Sequence, residues 1–233
     1  TQKEGSLVIK SYLDKLLSEN RRLRLPKSLS LEVRLGSRSL RNCVEVYSRI
    51  ISELNKVSAI DSISFDVPST ETIKRSVDIE THSQALGIAT YLANDVVPCI
   101  SQDISVLPIG TRYIDQLKRL ASCELAVSSM GGGSFKCALT QTMNYILTSR
   151  YHSRVLNAQR LYRLLNSSYS DDGVDHGWDD CYMLHVPSVR TSMIAPPSAC
   201  SVESTQESFE IDLPSVICEI TPVWKSSYGF YDD

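Results

Sequence analysis

The chain has 233 residues, 42% of them hydrophobic and 22% charged, with a formal net charge of −3 and a pI near 5.8. That length fits one large domain or two small ones, and the composition is that of a globular protein with a real core. No apolar run approaches the ~20 residues that span a bilayer, and the small negative charge provides no global attraction to nucleic acid or an anionic membrane.

In chain order, Leu7, Tyr12, Leu13, Leu16 and Leu17 recur at helical spacing, and Pro26 stops that element. Leu29, Leu31, Val33 and Leu35 then alternate with Ser30, Glu32 and Arg34, which predicts a half-buried strand with one wet face, ended by Gly36. Cys43, Val46, Tyr47, Ile50, Ile51 and Leu54 follow the i, i+3, i+4, i+7 rule of an amphipathic helix. Asn42 and Glu45 stand at the spacing of a capping box for it. Two alternating stretches follow, Ile63-Phe65-Val67 and Ile73-Arg75-Val77-Ile79, with VPST between them as a turn. A helix is expected from Ser83 to Val96, ending before Pro98, and a second from Thr111 to Ala121 with Tyr113, Ile114, Leu117 and Leu120 inward. Between them CISQDISVLPIG reads as irregular chain or a short strand, and CELAVSS after them as a strand. A long helix is expected near residues 135–165, and CYMLHV, SFEIDL and VICEIT as strands.

These elements predict an α+β fold, a mixed or antiparallel sheet with several packed helices. Residues 1–165 form the α+β core, and 166–208 form a polar, loop-rich excursion with one short strand. Residues 209–233 carry C-terminal strands and an aromatic tail of the same domain.

The seven cysteines, Cys43, Cys99, Cys123, Cys137, Cys181, Cys200 and Cys218, are scattered and include no C-x-x-C pair. That pattern speaks against a disulfide framework or a structural zinc site and for buried thiols in a reducing compartment. The opening residues lack the apolar centre of a secretory signal. A cytoplasmic or nuclear setting, in the protein's own cell, a host cell or a virion, follows as the expectation.

Several stretches carry chemical potential. SSMGGGSFKCAL places Gly131, Gly132 and Gly133 between a strand and a helix, the generic form of an anion site, with Lys136 as an added charge. It matches neither the P-loop nor the G-x-G-x-x-G spacing, and no G-x-S-x-G elbow accompanies it. A permissive turn is the competing reading. From Leu147 to Leu165, Arg150, Arg154, Arg160 and Arg163 cover a helix face that suits phosphate or an acidic partner, or else solvent. DDGVDHGWDD lacks the EF-hand spacing and reads as an acidic loop, and none of the four histidines sits in a triad motif.

The expected wet strand face carries Glu32, Asp66, Asp78, Glu80, Glu210 and Asp212, with Arg34 and Lys74 beside them. SLEVRLG followed by NCVEVYSRIISEL resembles the opening strand and helix of the triphosphate tunnel metalloenzymes. The resemblance covers roughly the first 80 residues and one C-terminal strand, FEIDL. It implies a metal held by Glu32, Glu210 and Asp212, with Arg34 and Lys74 for phosphate. Ser30 stands where that family has its first acid, and its basic middle strands have no counterpart between residues 120 and 200, so a degenerate relative is implied as readily as an enzyme.

Three functional readings result. The first is a non-enzymatic interaction or assembly subunit of a multi-protein complex, virus particle or ribonucleoprotein, partnered by other protein subunits and needing no cofactor. Its positive feature is the terminal VWKSSYGFYDD, with Trp224, Tyr228, Phe230 and Tyr231 as docking aromatics. The second is the metal-dependent triphosphatase-like domain. The third is a binder of RNA or another polyanion through Lys136 and the arginine helix.

Overall fold

The computed structural model describes Lys15 and residues 27–35, 39–40, 42–73, 76–110, 112–129, 133, 136–137, 140, 142–149, 183–188, 211 and 213–226. Six strands are β1 (Ser28–Glu32), β2 (Ser62–Asp66), β3 (Ser105–Val106), β4 (Leu125–Ser129), β5 (Met143–Ser149) and β6 (Met183–Ser188). They form one sheet in the order β3-β2-β1-β4-β5-β6, every pairing parallel. The helices are α1 (Cys43–Val57), α2 (Ser76–Tyr91), α3 (Val97–Ile100), α4 (Tyr113–Ser122) and α5 (Leu213–Ser226). The architecture is α/β, which overturns the expected α+β fold with a mixed or antiparallel sheet. The order 3-2-1-4-5-6 is the doubly wound one, and its direction reverses between β1 and β4.

The reason for the misreading lies on the sheet's second face. One face carries Leu29, Leu31, Ile63, Phe65, Leu125, Val127, Tyr145 and Leu147. These pack with Val46, Ile50, Ile51 and Leu54 of α1, Ala85 and Ala89 of α2, and Val216, Ile220 and Trp224 of α5. The other face carries Ser28, Ser30, Glu32, Ser62, Ser64, Asp66, Ser128 and Asn144, and all of these are buried. The alternation in sequence is real, but the polar face is covered rather than wet. Parallel sheets are covered on both sides by their crossover helices, and here the second cover is α4 and the helical residues Gly133, Lys136, Cys137 and Thr140. Leu120 and Cys137 of that cover pack on Ala126, Thr142 Oγ1 donates to Leu120 O (2.5 Å), and Ser28 Oγ donates to Ser122 O (3.4 Å).

Other expectations change with this frame. The long helix of 135–165 is interrupted by β5, whose Tyr145, Ile146 and Thr148 favour extended chain; its arginine portion lies outside the described residues. The alternation at 73–79 gives way to α2, and Ile79 is helical and exposed. The preceding helix does not end before Pro98. Leu92–Val96 winds as a π-helix and α3 carries Pro98 in its first turn, where a missing N–H is harmless. Asn42 stands at the start of α1, but its side chain makes no capping bond. VICEIT, expected as a strand, belongs to α5, with Pro214 in the first turn and Val216, Ile220 and Trp224 inward at i, i+4, i+8.

Trp224 therefore sits in the domain's own core, fully buried, and is not open to a partner. Its Nε1 donates to Ser58 O (3.1 Å) at the end of α1, and the Lys27 ammonium lies 5.0 Å from its ring centroid. Lys27 adopts a left-handed backbone (φ 52°) just before β1, and its Nζ donates to Trp224 O (3.0 Å). One lysine thus joins the start of the sheet to the end of α5. Truncation of Trp224→Ala is expected to destabilise the fold by about 3–5 kcal/mol, read from urea unfolding followed by circular dichroism. Unchanged stability would place Trp224 outside the core.

Candidate functional site

In doubly wound sheets, ligands bind outside the carboxyl ends of the strands where the strand order reverses. Here that place lies beyond Glu32 of β1 and Ser129 of β4, with Asp66 ending β2. Glu32 and Asp66 are register partners on adjacent parallel strands, so two carboxylates stand side by side on the polar, buried face. Unrelieved, that juxtaposition is repulsive and the burial adds desolvation.

Three groups relieve it. Ser129 donates to Glu32 Oε2 from both its backbone N–H and its Oγ, each at 2.8 Å. Lys136, buried, forms a short ion pair with Asp66 Oδ2. Gln116 of α4 accepts from Lys136 Nζ at Oε1 (3.1 Å), while its Nε2 donates to Val67 O (2.8 Å) and Gly110 O (2.9 Å). The Tyr47 hydroxyl of α1 donates a short bond to Glu32 O from the opposite face. Burial pushes the Asp66 carboxyl above its usual range against the lowering pull of Lys136. Burial alone would lower the Lys136 ammonium, but Asp66 and Glu32 outweigh it and leave the pKa raised. One valence stays open: Asp66 Oδ1, on a side chain 7% exposed, has no hydrogen-bond partner among the described residues.

Of the three consecutive glycines, Gly133 is among the described residues. A Cβ at Gly133 would overlap the Glu32 carboxylate. The end of the Glu32 side chain lies where that Cβ would stand, so a side chain at position 133 forces the carboxylate to move.

The sequence-predicted residues are placed as follows. Glu32 and Lys136 come together in this network, though Lys136 is an ion-pair partner rather than an open anion contact. Glu210, Asp212 and Lys74 lie outside the described residues, as do Arg150, Arg154, Arg160, Arg163, Tyr228, Phe230 and Tyr231. Arg34 follows β1 and is partly buried. No cluster of three or more metal-ligating side chains occurs among the described residues, and a parallel sheet covered on both faces encloses no tunnel. A groove between α1 and α5, lined by Arg49, Glu53, Leu213, Pro214 and Ile217, lies apart from the network, and its Arg49–Glu53 pair (3.0 Å) is already satisfied. Gln116 and Ser129 were not singled out by sequence reasoning, and Asp66 entered it as one of the acids on the polar strand face. The one legible signal was an acid at the end of each of two neighbouring strands, which a parallel register would bring together.

The fold and this edge define a doubly wound α/β domain with a polar network at its switch point. No protein family matches the chain, and no curated protein matches it by sequence. No helix among the described residues is long and apolar enough to cross a membrane.

Two outcomes are expected of this network. Gly133→Ala is expected to destabilise by about 1–3 kcal/mol, the usual cost of overpacking, and Glu32→Ser in the same chain to restore part of it, both read by chemical unfolding. Lys136→Met leaves Asp66 uncompensated and is expected to lose about 3–5 kcal/mol at neutral pH. Because the folded ammonium's pKa is raised, its contribution is complete below the unfolded value of 10.5 and fades as pH climbs through the folded one. Urea unfolding of both chains on either side of that value should show the gap closing on the alkaline side; a constant gap would deny the pair its role.

Proposed function

We propose that this chain is a small-molecule binding domain whose crevice lies outside the carboxyl ends of β1, β2 and β4 and takes a hydroxyl-bearing ligand of the nucleoside class. The observation that carries the reading is the open Asp66 Oδ1. A buried acceptor left without a donor costs about 1–3 kcal/mol, and a carboxylate oxygen held rigid by its ion-paired twin is matched by a hydroxyl donor. The architecture supports the same place. In doubly wound domains an acid near the first strand–helix turn accepts the ribose hydroxyl, an analogy of fold that Asp66 makes specific to this chain.

Calorimetry of the full chain against the four ribonucleosides and their 2′,3′-dideoxy analogues tests it. Binding of at least one ribonucleoside, lost on removal of the hydroxyls, is the expected result; equal affinity for both sets would refute Asp66 as the acceptor. Asp66→Asn paired with Lys136→Met removes both charges together, and this folded double variant is expected to bind at least about tenfold more weakly.

A second reading, the interaction subunit, keeps one observation: Ile79 (55% exposed) and Tyr91 (51% exposed) are the large exposed apolar side chains of the described residues, both on α2. Aromatic and aliphatic side chains of this kind anchor protein contacts. Ile79→Asp with Tyr91→Asp should then lower the light-scattering mass of a self-associating chain without lowering its unfolding midpoint. A mass unaltered by both changes removes α2 from any self-contact.

A further inference from the structure

The charges at the carboxyl edge decide which part of a nucleoside-class ligand can enter. Resting on the crevice reading above, we infer that the site discriminates against phosphate and takes a ligand whose buried part is uncharged or cationic, a nucleoside rather than a nucleotide. Three observations converge on this.

The first is that the usual place for phosphate is filled. In doubly wound nucleotide sites the phosphate sits where a glycine turn opens a helix, against exposed backbone N–H groups. In this chain Gly133, the described glycine after β4, lies against the Glu32 carboxylate. Ser129 N–H, the backbone donor at the end of β4, is given to Glu32 Oε2 (2.8 Å), and no room for a Cβ remains at Gly133. A phosphate brought there would meet a fixed carboxylate.

The second is that the cation in the network is already used. Lys136 Nζ is bound to Asp66 Oδ2 and donates to Gln116 Oε1 (3.1 Å), and Gln116 is itself fixed by bonds to Val67 O and Gly110 O. Turning that ammonium toward a phosphate would strip Asp66 of its counter-charge inside a buried site. Among the described residues a second cation, Arg119 of α4, donates a short bond to Pro108 O and lies against Gly110. Formally the buried network holds two carboxylates against one ammonium.

The third is that the open valence is an acceptor. Asp66 Oδ1 repels an anion and welcomes a hydroxyl or a cationic N–H. The loop after β1 agrees: residues 33–42 contain one glycine, Gly36, and no G-x-G-x-x-G turn to wrap a diphosphate. Glu32, Asp66, Lys136 and Gly133 therefore act as specificity-determining residues for charge.

The test is calorimetry of the full wild-type chain against each ribonucleoside and its 5′-monophosphate and 5′-triphosphate, at low and high salt. For the nucleoside that binds, the monophosphate is expected to be weaker by about tenfold or more, since like charges a few ångströms apart in a partly dry site repel by more than RT. The penalty should shrink as salt rises. Glu32→Gln keeps an acceptor for Ser129 and removes the charge, and is expected to narrow the gap between nucleoside and monophosphate. Equal or tighter binding of the phosphorylated forms overturns the inference and points to Arg34, beyond β1, as the phosphate contact. Failure of every nucleoside and nucleotide to bind overturns the crevice reading itself, a result distinct from loss of discrimination.

Discussion

Glu32 and Asp66 face each other across two parallel strands on a covered side of the sheet, and much of the carboxyl edge is arranged around that conflict. Parallel register forces the meeting: once Leu29 pairs with Ile63 and Leu31 with Phe65 to build the apolar face, Glu32 must stand beside Asp66 on the other. Two buried like charges are not tolerated without donors and a counter-ion. Ser129 supplies the donors from the neighbouring β4, Lys136 supplies the counter-ion, and Gln116 fixes the lysine. Each comes from a different element, so the network also ties β1, β2, β4, α4 and the helical residue Lys136 to one another.

That arrangement gives the two faces of the sheet different duties. The apolar face holds the largest buried side chains, Trp224, Tyr47, Tyr145 and Phe65 among them, and its packing sets most of the stability. The serine-rich face contributes little hydrophobic burial. Its small side chains let α4 approach closely enough for Gln116 to reach the backbone at Val67 and Gly110. Short polar side chains at Ser30, Ser64 and Ser128 make a thin, hydrogen-bonded layer in place of an oily one. The buried Cys123 fits it, its thiol 3.7 Å from Ser64 Oγ and pushed up to about 11 by burial, and so inert near neutral pH.

Much of this was legible locally and little of it globally. The helix from Cys43 to Val57 was plain in its heptad-like spacing, and the cores of β1, β2 and β4 were plain in their alternation. What alternation cannot say is whether the polar face meets water or another layer, and serine is the residue that leaves this most open: it is small enough to bury and polar enough to expose. With no regular βαβ rhythm seen among the elements and that face read as wet, the expected sheet was mixed or antiparallel. Short apolar runs were ambiguous for a second reason. MNYILTS and VICEIT each satisfy both periods over six or seven residues, and tertiary packing assigned the first to β5 and the second to α5. The glycines were read as lying between a strand and a helix, but the carboxylate against Gly133 sits about a hundred residues earlier, at Glu32, and spacing carries no sign of it.

A network that existed only to neutralise two misplaced acids would close all its valences, and this one does not. Three buried polar atoms on the serine-rich face lack partners among the described residues: Ser62 Oγ, Asn144 Nδ2 and Asp66 Oδ1. Their positions differ in consequence. Ser62 opens β2 and Asn144 is the second residue of β5, both at the amino ends of strands, away from the carboxyl edge. Asp66 closes β2 at the carboxyl edge, beside the point where the strand order reverses and crossover chains part to opposite faces. Its Oδ1 is buried and has no hydrogen-bond partner among the described residues. Its twin is ion-paired and its helix-borne partner is clamped, so the acceptor is fixed in place before any donor arrives, and a rigid acceptor of this kind loses little ordering entropy on binding. On the crevice reading proposed above, that unpartnered oxygen is an acceptor of negative charge, and a hydroxyl donor suits it better than a phosphate.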